Sequence, residues 1–233
     1  MSKWSGKPEE KSPDGTVIRR YDAKEWRQAQ AGFTGKAAEF AKAREEVYGR
    51  LFGDPASVSH EAIPLIPHID VFVYDRGHSG RKYCTLVTGG MSDLKMTLPA
   101  GAEEEPGRVE LIMYCAEPKQ EYVDTMRWLA HFPHSQNTWI GSGHTIPNGN
   151  PPAPFWGSSV LDTFLFLPTI VKRDAALPDE LKLDGDPVHF LWLVPLTTPE
   201  CNLKLTEGLS AILGLFDRNR MSHVFDPNRA GYV

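Results

Sequence analysis

The run His189-Phe190-Leu191-Trp192-Leu193-Val194 is apolar from its second residue to its last. A strand with one wet face alternates apolar and polar side chains, so an unbroken run reads as a strand buried on both faces. Such a strand needs covering elements, and the neighbouring sequence supplies them. Downstream, Thr198-Pro199-Glu200 has the features of a helix start: a hydroxyl for the N-cap, proline at the first position and a carboxylate in the first turn. Leu205, Leu209, Ile212, Leu213 and Phe216 then recur on one helical face. Upstream, Phe164-Leu165-Phe166-Leu167 is a second short apolar run, separated from an earlier region by a loop over Asn148 to Trp156 that contains Pro151, Pro152 and Pro154.

Further upstream the pattern stays strand-like. Ile69-Asp70-Val71-Phe72-Val73-Tyr74, a turn over Asp75 to Gly80, and Tyr83-Cys84-Thr85-Leu86-Val87-Thr88 read as a hairpin. Arg108-Val109-Glu110-Leu111-Ile112-Met113-Tyr114 is another strand. Pro118 then opens a helix whose buried face carries Tyr122, Val123, Met126, Leu129 and Ala130. From Asp22 to Phe52 apolar residues recur at three- and four-residue spacing, with Gly32 leaving either one broken helix or two, and Gly53-Asp54-Pro55 as the stop. Residues 1–20 are rich in Lys, Glu, Pro, Gly and Ser and are expected as a poorly ordered tail, with 21–233 as a single domain. The fold expected is α+β, with helices packed on a mixed, mostly antiparallel sheet.

Composition narrows the function. Hydrophobic residues make up 41% of 233 and charged residues 24%, as in an ordinary soluble globular protein. The formal net charge of −5 argues against nucleic acid as the main partner. No apolar run approaches the roughly 20 residues that span a bilayer, and the polar first ten residues lack a secretory leader's apolar core. A cytoplasmic protein without a membrane partner is expected. The three cysteines, Cys84, Cys115 and Cys201, have neither zinc-type spacing nor even number, so a disulfide framework and a cofactor are not expected.

Candidate chemistry is sparse. His131 and His134 lie three residues apart, and His68 stands two before Asp70. A metal site needs three or four ligands, and Pro133 is expected to end the helix between the first two histidines, so capping roles fit better. Gly89-Gly90-Met91-Ser92-Asp93 lacks the spacing of a nucleophile elbow. A triad of Ser92, His144 and Asp70 can be drawn, but eight histidines allow many such drawings. Gly141-Ser142-Gly143-His144 has no phosphate-loop lysine. Trp139, expected in a strand, reads as core; Trp156, in the proline-rich loop, reads equally as core or as a partner's anchor. The rival to a binding role is a metal-assisted hydrolase drawing on His68, Asp70, His131, His134 or His144.

An ordered set of segments resembles the Suppressor of fused family. Gly90-Met91-Ser92-Asp93-Leu94 is similar to that family's Gly-x-Ser-Asp-Leu segment. Arg108 to Tyr114 resembles its following strand, and Trp128-Leu129-Ala130 with Phe132-Pro133 the next helix. Asn137-Thr138-Trp139-Ile140-Gly141-Ser142-Gly143-His144 resembles its Asn-Thr-aromatic, Gly and His stretch. Phe190 to Thr197 with Glu200, and Val224-Phe225-Asp226-Pro227-Asn228-Arg229, match bacterial members. The resemblance spans residues 65 to 230. It implies an α+β domain without enzymatic activity that binds another protein. Bacterial members occur in polymorphic-toxin systems, which implies an immunity protein. The animal proteins are larger and clamp a peptide of a Hedgehog-pathway transcription factor; where they carry a tyrosine after Ser-Asp-Leu this chain has Lys95, so that specificity is not carried over. Partner contacts are expected at Met91, Ser92, Asp93, Lys95, Asn137, Trp139, His144 and Trp156, with no catalytic residue and no metal ligand.

Overall fold

Side-chain alternation along one strand organises the molecule. In Val109–Cys115, residues 109, 111, 113 and 115 enter one apolar core, and Ile112 and Tyr114 enter another on the opposite side. The structure, a computed structural model, describes residues 10–11, 17–18, 23–61 and 65–233, with the backbone alone at 10–11, 17–18, 23–35 and 78. Most of the tail expected over 1–20 lies outside the described residues. Two compact units are formed, residues 1–39 and 40–233.

The first unit contains the antiparallel pair β1 (Glu10–Lys11) and β2 (Val17–Ile18). Helix α1 (Ala23–Phe52) is unbroken at Gly32. It stops where Gly53 adopts a φ of 81° and its N–H returns to the Gly49 carbonyl at 3.0 Å. There follow β3 (Ser57–Ser59), β4 (Asp70–Tyr74), β5 (Cys84–Gly89), β6 (Val109–Cys115), α2 (Gln120–Ser135), β7 (Thr145–Pro147) and β8 (Leu161–Pro168). The chain continues through α3 (Lys172–Ala175), α4 (Leu177–Glu180), β9 (Lys182–Leu183), β10 (Asp186–Pro187), β11 (His189–Thr197), α5 (Thr198–Glu207) and α6 (Leu209–Arg218).

Seven strands form one sheet in the order β3-β4-β5-β6-β11-β8-β7. Only β6 and β11 run parallel; the other neighbours are antiparallel. The fold is α+β, with helices packed on a mixed, mostly antiparallel sheet. Helix α2 covers one face with Tyr122, Val123, Met126, Leu129 and Ala130. Phe40, Val47, Tyr48 and Phe52 of α1 cover the other, together with Ile212, Leu215 and Phe216 of α6. Burying each large side chain of this kind contributes about 1.5–3 kcal/mol, so β11, facing both layers, is committed to the sheet centre.

Four local expectations are corrected. Helix α2 does not end at Pro133 but runs to Ser135: the missing N–H of Pro133 costs one i→i−4 bond, and its ring is buried on the packed face of the helix. The last helix is two: Gly208, with φ 90° and ψ 173°, separates α5 from α6, and Leu205 is left 65% exposed. The cap belongs to Thr197, whose hydroxyl accepts from Glu200 N–H at 3.3 Å, while Thr198 donates to Asp162 at 2.6 Å. Trp139 is not in a strand; its ring folds over Gly141, where a Cβ would come within 2.4 Å of it. Cys84 and Cys115, distant in sequence, are direct cross-strand neighbours, both as free thiols.

Candidate functional site

β5 ends at Gly89, and the chain turns back over the sheet end through Gly90 and a short 3-10 turn, Met91–Asp93. Gly90 has a φ of 114°, and a Cβ on it would lie 1.9 Å from the His68 carbonyl oxygen, so only glycine permits this approach. Under the turn sits Glu110, fully buried on the β6 face that alternation assigns to the α1 core. Its carboxylate accepts from Gly90 N–H at 2.9 Å, Ser92 N–H at 3.0 Å, the Ser92 hydroxyl at 2.6 Å and the Thr88 hydroxyl at 2.7 Å. Four donors saturate the group and offset its desolvation.

Arginines close the cluster. Arg44 of α1 forms a buried ion pair with Asp93, and Arg108 donates to the Ser92 and Asp93 carbonyls at 2.6 and 3.0 Å. Burial pushes the Asp93 carboxyl up, and Arg44 reverses this only in part. Met91, Ser92 and Asp93 are all buried, and the Met91 carbonyl accepts from His134 Nε2 at 2.9 Å. These three side chains are thus inside the protein, and of the segment expected to meet a partner Lys95 is the exposed one. It reaches Asp186 at 2.8 Å, which holds that carboxyl below its usual range.

The Asn137–His144 stretch lies against the same sheet end, with Thr97 N–H bonding the Thr138 carbonyl at 3.3 Å. Asn137 is exposed, and Trp139 and His144 are half-buried with ring centroids 4.2 Å apart. Burial, then the nearby Lys204, lowers the His144 imidazole. Beside them a cavity of about 150 Å³ is lined by Glu105, Val109, Ser142, Asp174 and Phe190, among others. Trp156 belongs elsewhere. It is 6% exposed, packs on Tyr122, Phe164 and Phe225, and donates to the Thr125 hydroxyl at 3.0 Å. Its place is the α2-side core.

The residues weighed for hydrolysis separate. Ser92 spends its hydroxyl on Glu110, and His144 Nδ1 accepts from Gly141 N–H at 3.3 Å. His134 serves the Met91 carbonyl. His68 and Asp70 do meet, with His60 joining them, while His131 pairs with Glu61. Sequence reasoning missed Glu110, Arg44 and Arg108 as a unit. One signal was available: a lone carboxylate inside an otherwise apolar strand needs buried donors.

No helix among the described residues is long and apolar enough to cross a membrane. The family model described as Suppressor of fused protein (SUFU) matches residues 66–230. A Suppressor of fused homologue from Neisseria gonorrhoeae FA 1090 superposes with a TM-score of 0.63 at 18% identity, covering 84% of this chain and 98% of that one. The structure of the Sufu–Fu complex gives a TM-score of 0.55 at 12% identity over 84% of this chain and 92% of that one. Drosophila Suppressor of Fused gives 0.52 at 11% identity, with 84% of this chain spanning 51% of the fly protein. At such identities the likeness is one of fold. No curated protein matches the chain.

Proposed function

The chain belongs to the Suppressor of fused family, and from that premise we propose that it acts in the cytoplasm of a bacterial cell by binding another polypeptide, making and breaking no bonds. The observation that carries the reading is the family match itself, supported by the sharing of this fold with a chain solved in the Sufu–Fu complex. The partner face is the sheet end where Lys95, Asn137, Trp139 and His144 stand near the cavity. Exposed Glu103, Glu104 and Glu105 edge the same region, and Glu105 lines the cavity. An acidic rim favours a basic partner segment by speeding encounter. In a polymorphic-toxin system that partner is a basic toxin domain, and the chain is its immunity protein.

The test is capture from the native cell with the untruncated chain, followed by binding measured with the recovered partner. Glu104→Lys with Glu105→Lys is expected to slow association by about tenfold at low salt, the scale on which steering acts. Trp139→Ala is expected to raise the dissociation rate. Recovery of no polypeptide partner, or a partner indifferent to both changes, would sink the reading.

A further inference from the structure

We propose that His60, His68 and Asp70 bind a divalent first-row transition metal ion, with zinc as the expected occupant. Strand pairing assembles the set. β3 and β4 pair with Ser59 opposite Val71, so the next residue out along β3, His60, comes level with Asp70 at the start of β4. His68 enters the same spot from the segment leading into β4. His60 Nδ1 lies 3.1 Å from one oxygen of Asp70, and His68 Nε2 lies 3.1 Å from the other. The three donor atoms all fall within 4.8 Å of one another. Tetrahedral zinc with bonds of 2.0–2.1 Å places neighbouring ligand atoms about 3.4 Å apart, so small side-chain movements accommodate the ion.

Two further observations point to a ligand rather than to simple pairing. Asp70 Oδ1 is buried and makes no hydrogen bond, although His68 Nε2 is near; the pair is close without being aligned as donor and acceptor. The other nitrogen of His68 faces a second carboxylate, with Nδ1 3.6 Å from Glu61 Oε2. A carboxylate behind the non-ligating nitrogen orients a metal-bound imidazole and raises its basicity. Glu61 is itself fixed, accepting from Ile69 N–H at 3.1 Å and pairing with His131 of α2. Arg127 ties the scaffold together, donating to the Ser59 and Ile69 carbonyls at 2.7 and 3.2 Å. Among the described residues Asp70 and Glu61 are paired with imidazoles alone, so a dication supplies the charge the two carboxylates lack. Two imidazoles and one carboxylate leave a fourth position open toward solvent, on the side where His60 is 70% exposed.

The experiment uses untagged full-length protein, stripped with a chelator and titrated with zinc against a chromophoric competitor, with cobalt(II) absorption as a second readout. One equivalent of zinc is expected, together with the visible bands of tetrahedral cobalt. His60→Ala and Asp70→Asn are expected to lose binding by about 100-fold or more, and Glu61→Gln to weaken it by about 10–100-fold at unchanged stoichiometry. His60 is on the surface, so its variant tests the site with the fold intact, as circular dichroism will verify. Absence of zinc binding in the parent protein overturns the proposal. So does a His60→Ala or Asp70→Asn protein that holds zinc as tightly as the parent.

Discussion

Two carboxylate clusters, on strands separated by β5, have opposite characters. Glu110 lies on the sheet's central strand with four hydrogen-bond donors from its own chain and no exposure. Asp70 lies near the sheet edge with imidazoles around it and one oxygen left without a hydrogen bond. Both clusters combine acids with basic side chains, and His68 contributes to each, since its backbone carbonyl crowds Gly90 while its ring faces Asp70. The difference teaches that residue type does not decide between structure and ligand binding. Saturation does: a carboxylate whose acceptor capacity is filled internally stabilises the fold, and one left unfilled is available to something else.

Removing partners should separate the clusters by energy. The largest effect is expected from Asp93→Ala, which leaves the buried Arg44 guanidinium uncompensated; urea denaturation should show a loss of about 3–5 kcal/mol. Glu110→Ala strips one acceptor from four donors and is expected to cost about 3 kcal/mol in the same assay. Glu200 supplies an intermediate case at the start of α5. It accepts from Thr197 and Tyr232 N–H groups at 2.9 and 3.1 Å and pairs with Arg229. Burial alone would raise its carboxyl, but Arg229 and those N–H groups more than reverse this and hold it below the usual value. Its stabilisation is therefore complete above the ordinary glutamate range and fades as pH falls through the lower folded value. Melting temperature should drop in acid, and Glu200→Gln, costing about 1–2 kcal/mol near neutrality, should flatten that dependence. The smallest effect belongs to the edge: His60→Ala without metal should change stability by no more than about 0.5 kcal/mol. A large loss there would make the edge cluster structural and erase the contrast.

The sheet was legible because alternation and apolar runs are local signals: the strands over 70–74, 84–89, 109–115 and 189–197 follow from their own side chains. Helix α2 was legible to its buried face. The edge strands Ser57–Ser59 and Thr145–Pro147 were not, since three residues carry no period. Met91, Ser92, Asp93 and Trp156, where partner contacts were expected, have buried side chains, and a motif says which residues recur, not which way they face. Met91 to Asp93 turn inward because Glu110 and Arg44, 18 and 49 residues away from Ser92 and Asp93, draw them there. Trp156 was ambiguous until Tyr122 and Phe225 could be seen beside it.

The parallel seam of the seven-stranded sheet, β6 against β11, bears on how the chain reaches this state. On one side of it β3 to β6 form from consecutive hairpin-like pairings; on the other β8 and β11 pair with each other. Val109 meets His189 only across the seam, so the two halves can organise separately before they dock. Loop closure over that separation is the slowest contact to form. Stopped-flow refolding should therefore respond most to substitutions along this seam, such as Leu111→Ala or Leu191→Ala. A chain emerging from the ribosome holds an unpaired β6 edge until residue 189 arrives.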